Sequence, residues 1–414
     1  MKKILLASLV FSLSASVFAG GYRVALQGQK ALGMGHTGVA MAESSESLFF
    51  NPGAMAFLNG ESFVGGVTLI DAETRYQNAG TNTTAQTDNP IGTPINLYYS
   101  TSGNDRLNYG LGVYTPYGNT VKWPADWAGS HLVNNIELAA IFIQPTVSYQ
   151  LSDSLGFGFG PALVIGAVEF NRNLSTSLVD ANGNRSNVTI KASGITALGM
   201  NLGFYLTPSD ALSLGVNYRS KVDMKARGEP ADFENVPASL QAVFPDTTFD
   251  ADLVLPAELT IGLAYDISPQ FKLAFDINRT YWSAYRSLDV AFANGAGTSV
   301  NPRNYQNANI YRLGVQYAMN DSLTLRGGVY LDESPIQPGY FAPETPRNDA
   351  VGYTGGLSWR VDKNLSVDVS LLVLVFDEFT GSYDFYNQSG TTISFGGQYK
   401  SAVTTLGFGI DYAF

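Results

Sequence analysis

The sequence contains no cysteine and only two histidines among its 414 residues. A chain without cysteine has no thiol nucleophile, no thiolate metal ligand and no disulfide, so packing and hydrogen bonding must supply its stability. Charged residues are also scarce, at 14% against roughly 25% in an ordinary soluble protein. These absences point away from a cytosolic enzyme, and we expect neither a metal nor a cofactor.

Positive charge is the minority sign, since 24 Lys and Arg residues face 35 Asp and Glu residues and give a formal net charge of −11. The basic residues form no block, so the sequence offers no electrostatic surface for nucleic acid. Long hydrophobic runs are missing too, because beyond the N-terminus no stretch approaches the about 20 apolar residues that a membrane-spanning helix needs. The sequence thereby excludes nucleic-acid binding and helical membrane insertion.

The N-terminus carries a pattern of its own. Lys2 and Lys3 precede an apolar stretch, residues 4–11, and small residues lead up to Ala19. This order is typical of a secretory signal peptide, which we predict over residues 1–19. An exported chain with no spanning helix is either soluble outside the inner membrane or a closed barrel in the outer membrane of a Gram-negative bacterium.

From residue 61 onward, apolar and polar residues alternate with a period of two. In the last such segment one face holds large apolar side chains, namely Leu406, Phe408, Ile410, Tyr412 and Phe414. These segments run for ten to eighteen residues, whereas strands of soluble proteins usually have about 5 to 6. The pattern and the length together predict β-strands that cross a membrane.

Short polar turns and longer polar segments separate these strands. The six short turns lie at residues 102–105, 151–154, 207–210, 267–270, 319–322 and 361–364. The seven longer segments lie at residues 77–93, 116–137, 171–192, 226–250, 287–304, 333–348 and 380–392. We therefore predict an all-β fold, a 14-stranded antiparallel transmembrane β-barrel over residues 61–414 with its short turns in the periplasm. We expect a monomer in contact with outer-membrane lipid and lipopolysaccharide.

Residues 20–60 do not alternate and instead contain several glycines and the motif Asn51-Pro52-Gly53. A barrel of this size has a lumen too wide for its own side chains to fill, so we interpret this segment as an N-terminal plug. The alternative is a disordered periplasmic tail. Apolar residues such as Leu48, Phe49 and Phe57 argue against free disorder.

The N-terminal stretch from Gly20 to the Asn51-Pro52-Gly53 motif resembles the plug of the FadL family, the long-chain fatty-acid transport proteins of Gram-negative outer membranes. This chain has Gly53 where the family usually has Ala. Further similar segments follow in family order along the mature chain, namely Asn217-Tyr218-Arg219-Ser220, Leu255-Pro256-Ala257-Glu258-Leu259, Tyr281-Trp282-Ser283, Tyr311-Arg312-Leu313-Gly314, Leu331-Asp332-Glu333-Ser334-Pro335 and Asp411-Tyr412-Ala413-Phe414.

The resemblance implies uptake of a hydrophobic molecule without catalysis. In this family the molecule adsorbs to a groove between outer loops, moves to a pocket in the barrel, and leaves sideways through a gap at a kinked third strand once the plug shifts. Long-chain fatty acids are the expected substrate. The upper fifth strand, residues 165–169, lacks the basic headgroup partner that relatives can place there, so a neutral aromatic hydrocarbon is the alternative.

Apolar residues with lumen-facing parity cluster at the outer end of the barrel, where a ligand would arrive. They are Val164, Val168, Phe170, Ile310, Tyr330, Leu372, Leu374 and Phe376. We interpret them as a ligand pocket; the alternative is packing against the plug. Basic side chains at lumen-facing strand positions could pair with the carboxylate of a ligand, and Arg312 is the one beside the apolar cluster. The others are Arg219, Lys221, Arg326 and Arg360, and each could instead pair with an acidic residue.

Two further parts of the transport path have candidates in the sequence. In the fourth long loop, Leu240, Val243 and Phe244 have the spacing of an apolar helical stripe, which could form the capture groove or only pack against a neighbouring loop. The other candidate groove residues are Leu174, Leu178, Val179 and Phe233. Gly110, Gly112 and Pro116 mark the third strand as the lateral gate, because Gly and Pro weaken a ladder.

Enzymatic interpretations find little support. Residues 33–38 match the pattern G-x-G-x-x-G, but no strand precedes them, as a dinucleotide-binding motif requires. No motif of a serine hydrolase or zinc protease occurs. A barrel phospholipase and a surface adhesin remain as alternatives of another class. The terminal aromatic residues Phe408, Tyr412 and Phe414 resemble the signal that the barrel assembly machinery recognises, so that machinery is an expected partner.

Overall fold

The computed structural model describes residues 21–78, 80–388 and 390–414, so the predicted signal peptide lies outside the described residues. Helices are few and short: α1 (Gln29–Gly33), α2 (Ser47–Phe50) and two 3₁₀ turns, Ala54–Phe57 and Trp282–Ala284. None of the helices in these described ranges is long and apolar enough to cross a membrane.

Strands make up most of the chain. They are β1 (Glu61–Gln77), β2 (Thr84–Gln86), β3 (Ile95–Asn104), β4 (Leu107–Lys122), β5 (Asn135–Ser152), β6 (Leu155–Asn173), β7 (Asn187–Ser209), β8 (Leu212–Arg219), β9 (Val222–Glu234), β10 (Thr247–Leu255), β11 (Glu258–Ser268), β12 (Phe271–Thr280), β13 (Val290–Phe292), β14 (Thr298–Ser299), β15 (Ala308–Ala318), β16 (Leu323–Asp332), β17 (Ala350–Arg360), β18 (Leu365–Phe376), β19 (Phe379–Gln388) and β20 (Thr391–Ala413).

The sheet closes on itself, because β1 pairs with β3 on one side and with β20 on the other. The ring has fourteen antiparallel positions, two of which are interrupted: β8 with β9 forms the seventh and β10 with β11 the eighth. The remaining short strands β2, β13, β14 and β19 belong to the long connections. The predicted 14-stranded barrel is confirmed. We call its two ends the turn end and the loop end.

The predicted alternation along the strands is also present. On β18, Ser370, Leu372 and Leu374 are buried while Leu371 and Val373 are exposed. A soluble protein would bury large aliphatic side chains of this kind. Their exposure around the outside of a closed ring is what a lipid-facing surface requires.

The second, third and fourth long segments are shorter than predicted, because the strands continue into them. The ladder between β4 and β5 runs on to the pair Lys122 and Asn135, inside the segment predicted as a loop. The third ring strand, β4, likewise does not close at Pro116, where the sequence predicts its end. The chain passes Pro116 in a register shift between Tyr114 and Tyr117, since a bulge tolerates a residue that has no N–H to donate.

Residues 21–60, which we call the lumenal segment, lie inside the ring. The segment contacts strands on several sides of the lumen: Lys30 pairs with Asp411 of β20, the Gly35 N–H donates to Thr354 Oγ1 of β17 over 2.8 Å, and Asn51 Nδ2 donates to the Phe204 carbonyl of β7 over 2.8 Å. Almost all of its residues between 21 and 56 are buried. The first transmembrane strand follows it directly, at Glu61.

Single cysteines test which end of the barrel faces outward, and the chain has no native cysteine to confuse the result. On intact cells, a membrane-impermeant maleimide should label cysteines placed in the long loops and leave those in the short turns unlabelled. Suitable loop positions are Thr83, Asn182, Asn294 and Asn387, and suitable turn positions are Asn104, Ser209 and Asn320. The opposite pattern would invert the orientation.

Candidate functional site

An apolar cavity with about 1340 Å³ of space, open solvent included, lies in the loop-end half of the lumen. We call it the apolar pocket. Five neighbouring ring positions supply its wall, from β5, β6, β7, β9 and β10, with lumen-facing residues that include Leu138, Val168, Phe170, Ala192, Ile195, Met224, Ala226, Leu253 and Leu255. The strand pleat explains the wall: on β9 the charged residues 223, 225 and 227 point outward, and the apolar residues between them point inward.

One end of the apolar pocket is polar. Arg303 forms a buried ion pair with Glu344 there, and Arg172 donates from Nη2 to Ser299 Oγ over 2.9 Å. The Arg172 guanidinium carbon lies 5.9 Å from the centre of the Tyr386 ring. Among the described residues, no carboxylate lies within ion-pair distance of Arg172. The pocket therefore combines an apolar wall with a cation that has no acidic partner.

Arg172 is absent from the cations that the sequence analysis proposes. The predicted loop begins at residue 171, yet β6 continues to Asn173, so Arg172 keeps the strand's alternation. It follows Val168 and Phe170 on the same lumen-facing side, and all three line the apolar pocket. The same parity rule, extended past residue 170, would have identified it.

The structure divides the residues predicted to line a ligand pocket. Val168 and Phe170 line the apolar pocket, and Val164 is buried in the core cluster beside it. The other five apolar residues form a separate cluster with residues 24, 26 and 32 of the lumenal segment; they are Ile310, Tyr330, Leu372, Leu374 and Phe376. That placement corresponds to the alternative of packing against the plug, and these five do not line the apolar pocket.

Arg312 lies in a different, polar cavity of about 410 Å³ beside the lumenal segment. Arg23 crosses this region and approaches Glu258 at 3.5 Å and Asp332 at 3.3 Å. His36 is also buried here, and burial, followed by the nearby Arg312 and Arg23 charges, holds its pKa well below the usual range. Arg312 thus belongs to a buried charge network around the segment rather than to the apolar pocket.

The wall of the barrel is incomplete beside β4. Pairing between β3 and β4 stops at Tyr114, and above it the lumenal segment takes the place of a neighbouring strand. The Val24 N–H donates to the Pro116 carbonyl over 2.8 Å, and the Gly118 N–H donates to the Tyr22 carbonyl over 2.9 Å. Residues 22–24 therefore cover this opening from the inside.

The two glycines predicted to form the lateral gate do not border this opening. A Cβ atom on Gly110 would lie 2.6 Å from Leu48 Cδ1, and one on Gly112 would lie 2.8 Å from Leu48 Cδ2. Both glycines thus make room for Leu48 of the lumenal segment. The irregular part of the strand is at Pro116, nearer the loop end.

The Asn51-Pro52-Gly53 motif anchors the lumenal segment to the turn-end half of the wall. A Cβ on Gly158 of β6 would lie 2.2 Å from the Pro52 carbonyl carbon, and a Cβ on Gly203 of β7 would lie 2.1 Å from Asn51 Oδ1. Only glycine allows this approach. Asn51 adds hydrogen bonds from Nδ2 to the Val39 and Phe204 carbonyls.

Replacing Asn51 by Ala should loosen the lumenal segment without unfolding the ring, because it removes these two bonds and the acceptor for the Gly53 N–H at 2.9 Å. Hydrogen–deuterium exchange followed by mass spectrometry should show faster exchange in residues 21–60 only. The control is Asn78→Ala, which removes comparable bonds within an exposed loop. Unchanged exchange in residues 21–60 would show that the motif does not anchor the segment.

The predicted capture residues lie at the loop end of the barrel. Leu174 and Phe233 pack against the cluster at the top of the apolar pocket, and the Phe244 ring lies tilted against that of Phe233 with ring centres 5.6 Å apart. Leu240 and Val243 lie in consecutive turns instead of the expected helix, and Leu178 belongs to a neighbouring hairpin whose Ser186 N–H donates to its carbonyl. In the described part of the chain, no three His, Asp or Glu side chains are placed to hold a metal ion.

Comparison with known proteins identifies relatives over nearly the whole chain. Residues 10–414 match the family described as "Outer membrane protein transport protein (OMPP1/FadL/TodX)". Outer membrane protein P1 of Haemophilus influenzae is 21% identical over 413 residues, covering 89% of each chain. The long-chain fatty acid transport protein of Escherichia coli K12 is 20% identical over 401 residues, covering 88% of this chain and 90% of the relative.

Solved structures with the same fold are also known. A FadL homologue from Pseudomonas aeruginosa superposes with a TM-score of 0.82 at 18% identity, covering 95% of this chain and all (100%) of that one. The toluene transporter TodX from P. putida superposes with a TM-score of 0.74 at 19% identity, covering 96% of this chain and 99% of that one. At these identities the likeness concerns the fold.

Proposed function

The chain belongs to the OMPP1/FadL/TodX family of outer-membrane transport proteins, and from this premise we propose that it takes up long-chain fatty acids through the apolar pocket. Relatives in this family are named for fatty acids or for toluene, so the family narrows the cargo to hydrophobic molecules. The choice between the two kinds of cargo rests on the residues of this chain.

Arg172 is the observation that carries the proposal. An acyl chain gains roughly 0.8 kcal/mol for each CH₂ that it buries, and the apolar wall of the pocket supplies the surface for that burial. A carboxylate in the same place needs a cation, because an unpaired charge is costly to desolvate. Arg172 offers a guanidinium at the polar end of the pocket, which suits a molecule with one apolar and one anionic end.

We further propose a route that ends in the wall of the barrel. Cargo first contacts apolar loop residues such as Leu174, Phe233 and Phe244 at the loop end, and then enters the pocket. Tyr22 of the lumenal segment lines that pocket, and its carbonyl pairs with Gly118 of β4. Displacing residues 22–24 would break their bonds to Pro116 and Gly118 and uncover the edge of β4 there, through which the cargo leaves sideways into the membrane.

Replacing Arg172 by Met tests the cargo. A hydrogen bond to a charged group contributes about 1.5 to 3 kcal/mol, so the affinity for palmitate, measured by calorimetry in detergent, should fall roughly 10- to 100-fold. Toluene has no charge to lose, and its binding should not change. The control Arg172→Lys keeps the charge and should retain part of the affinity.

The neutral hydrocarbon remains the second candidate, and the same experiment decides between the two. Arg172 already donates to Ser299 and lies near Tyr386, an arrangement that also suits a purely structural arginine. If wild-type protein binds toluene more tightly than palmitate, and Arg172→Met changes neither affinity, the carboxylate role is wrong and the hydrocarbon is the better assignment.

A further inference from the structure

The sixth and seventh ring positions are not continuously paired. β7 pairs with β9 over Asn187–Ile190 and with β8 over residues 201–209. Between these stretches, residues 191–199 have no ladder partner on this side in the described structure, although residues 222–228 of β9 run opposite. We call this unpaired stretch the β7/β9 seam.

Bulges in both strands account for the seam. Gly194 is the extra residue in a register shift between β6 and β7 and has a φ of 68°. Gly228 has a φ of 64° beside a register shift between β9 and β10. Only glycine adopts such angles readily, and each bulge bends its strand and raises the local twist. The ladder between the two strands is therefore broken below the bulges, although the strands stay side by side.

The lower edge of the seam is closed by a side chain. Ser220 Oγ accepts a hydrogen bond from the Met200 N–H over 2.9 Å, and the Ser220 N–H donates to the Met200 carbonyl over 2.9 Å. Below this point the regular ladder with β8 begins. The seam is thus bounded, and it occupies one defined height of the wall.

The inner side of the seam is accessible and adjoins the apolar pocket. Lumen-facing residues of β7 are buried above the seam, as at Ile190, at its upper edge, as at Ala192, and below it, as at Asn201. Along the seam Ile195 and Ala197 are only partly buried. Because Ile195 also lines the apolar pocket, together with Met224 and Ala226 across the seam, the pocket reaches the wall at this place.

The outer side of the seam lies at a boundary of polarity. On β7, Leu198 is 78% exposed and Met200 is 38% exposed, which continues the apolar band of the barrel. Across the seam, Lys221 and Asp223 are exposed and form an ion pair at 2.9 Å, and the exposed Lys225 follows. An apolar band that ends in charged residues marks the level of the lipid headgroups. The seam therefore opens at the upper surface of the outer leaflet.

We propose that the β7/β9 seam is a lateral passage through which a single-chain anionic amphiphile exchanges between the apolar pocket and the outer leaflet. The tail passes the seam beside Leu198 and enters the hydrocarbon region, while the anionic group stays at the level of the charged rim. An amphiphile that leaves this way already has its tail in the hydrocarbon region and its anionic group among the headgroups, as it does in the leaflet. This inference rests on the proposed function, since it concerns the same pocket.

A removable crosslink tests the passage. A Cβ atom on Gly199 would lie 2.8 Å from Val222 Cγ2, so the double variant Gly199→Cys/Val222→Cys can join the two strands by a disulfide. The full protein is placed in phospholipid vesicles that carry a diazirine derivative of palmitic acid in the bilayer. Albumin in the surrounding water removes the free probe, so probe reaches the pocket only through the membrane.

Illumination followed by mass spectrometry should label pocket residues such as Met224 in the reduced variant and in both single-cysteine variants, and the labelling should fall after oxidation to the residual level that the opening beside β4 admits. Ala197→Trp, which fills the seam without a crosslink, should lower it as well. Equal labelling of the oxidised and reduced protein would overturn the passage. The same probe added to wild-type protein in detergent separates the two ideas: if it fails to label the pocket there, the proposed function itself is wrong.

Discussion

Replacing Leu253 by Asp should abolish binding of long-chain fatty acids while the barrel still folds. Leu253 faces the lumen from β10 and lines the apolar pocket. A carboxylate there would be desolvated without a partner and would repel the carboxylate of the cargo, at a cost of several kcal/mol. We expect the affinity for palmitate, measured by calorimetry in detergent, to fall roughly 100-fold or more.

The control for this variant is Leu253→Asn, which has a similar shape and no charge. It should weaken binding much less than Leu253→Asp, because a neutral amide is far cheaper to bury. Heat-modifiable migration on gels should be normal for both variants. If Leu253→Asp bound palmitate as tightly as the wild type, the cargo site would lie elsewhere in the lumen.

Replacing Val373 by Arg should have the largest effect on stability. Val373 lies between Leu371 and Val375 on the outward face of β18, and all three are exposed on the surface of the ring. An arginine on the lipid side costs about 2 to 4 kcal/mol near the bilayer midplane. Denaturant unfolding in lipid vesicles should therefore show a free energy of unfolding lower by about that amount.

Thr391→Arg is the matched control, since Thr391 is exposed in the β19–β20 hairpin of the loop end. The same side chain placed in water should leave the free energy of unfolding unchanged. Equal losses in the two variants would mean that Val373 does not face the hydrocarbon region.

The barrel could be predicted from sequence because its signal is repeated. Each strand carries the same alternation and each short turn the same polar residues, so a local misjudgement does not alter the strand count. The ends of the strands carry no such signal. Strands that extend beyond the membrane lose the regular alternation. At residues 380–388 the buried side chains Tyr383 and Tyr386 are three positions apart among polar residues, a pattern that does not distinguish a strand from a loop.

The pocket was harder to predict. Alternation along a strand shows whether a side chain faces the lumen or the lipid, but it does not show what that side chain contacts inside the lumen. Leu374 and Met224 both face the lumen, but Leu374 meets the lumenal segment and Met224 lines a cavity. That difference depends on the path of residues 21–60, which have no periodic pattern. The glycines of β4 illustrate the same limit: their spacing is visible in the sequence, but their contact with Leu48 is not.

The glycine contacts around Asn51-Pro52-Gly53 have a consequence for the permeability of the outer membrane. The motif is held there by direct backbone contact, whereas residues 22–24 are held beside the pocket by side-chain packing, backbone hydrogen bonds and the ion pairs of Arg23. If only residues 22–24 move during transport, the turn-end half of the lumen stays filled and no continuous column of water forms. A cell with many copies of this protein would then admit fatty acids and still exclude small hydrophilic antibiotics.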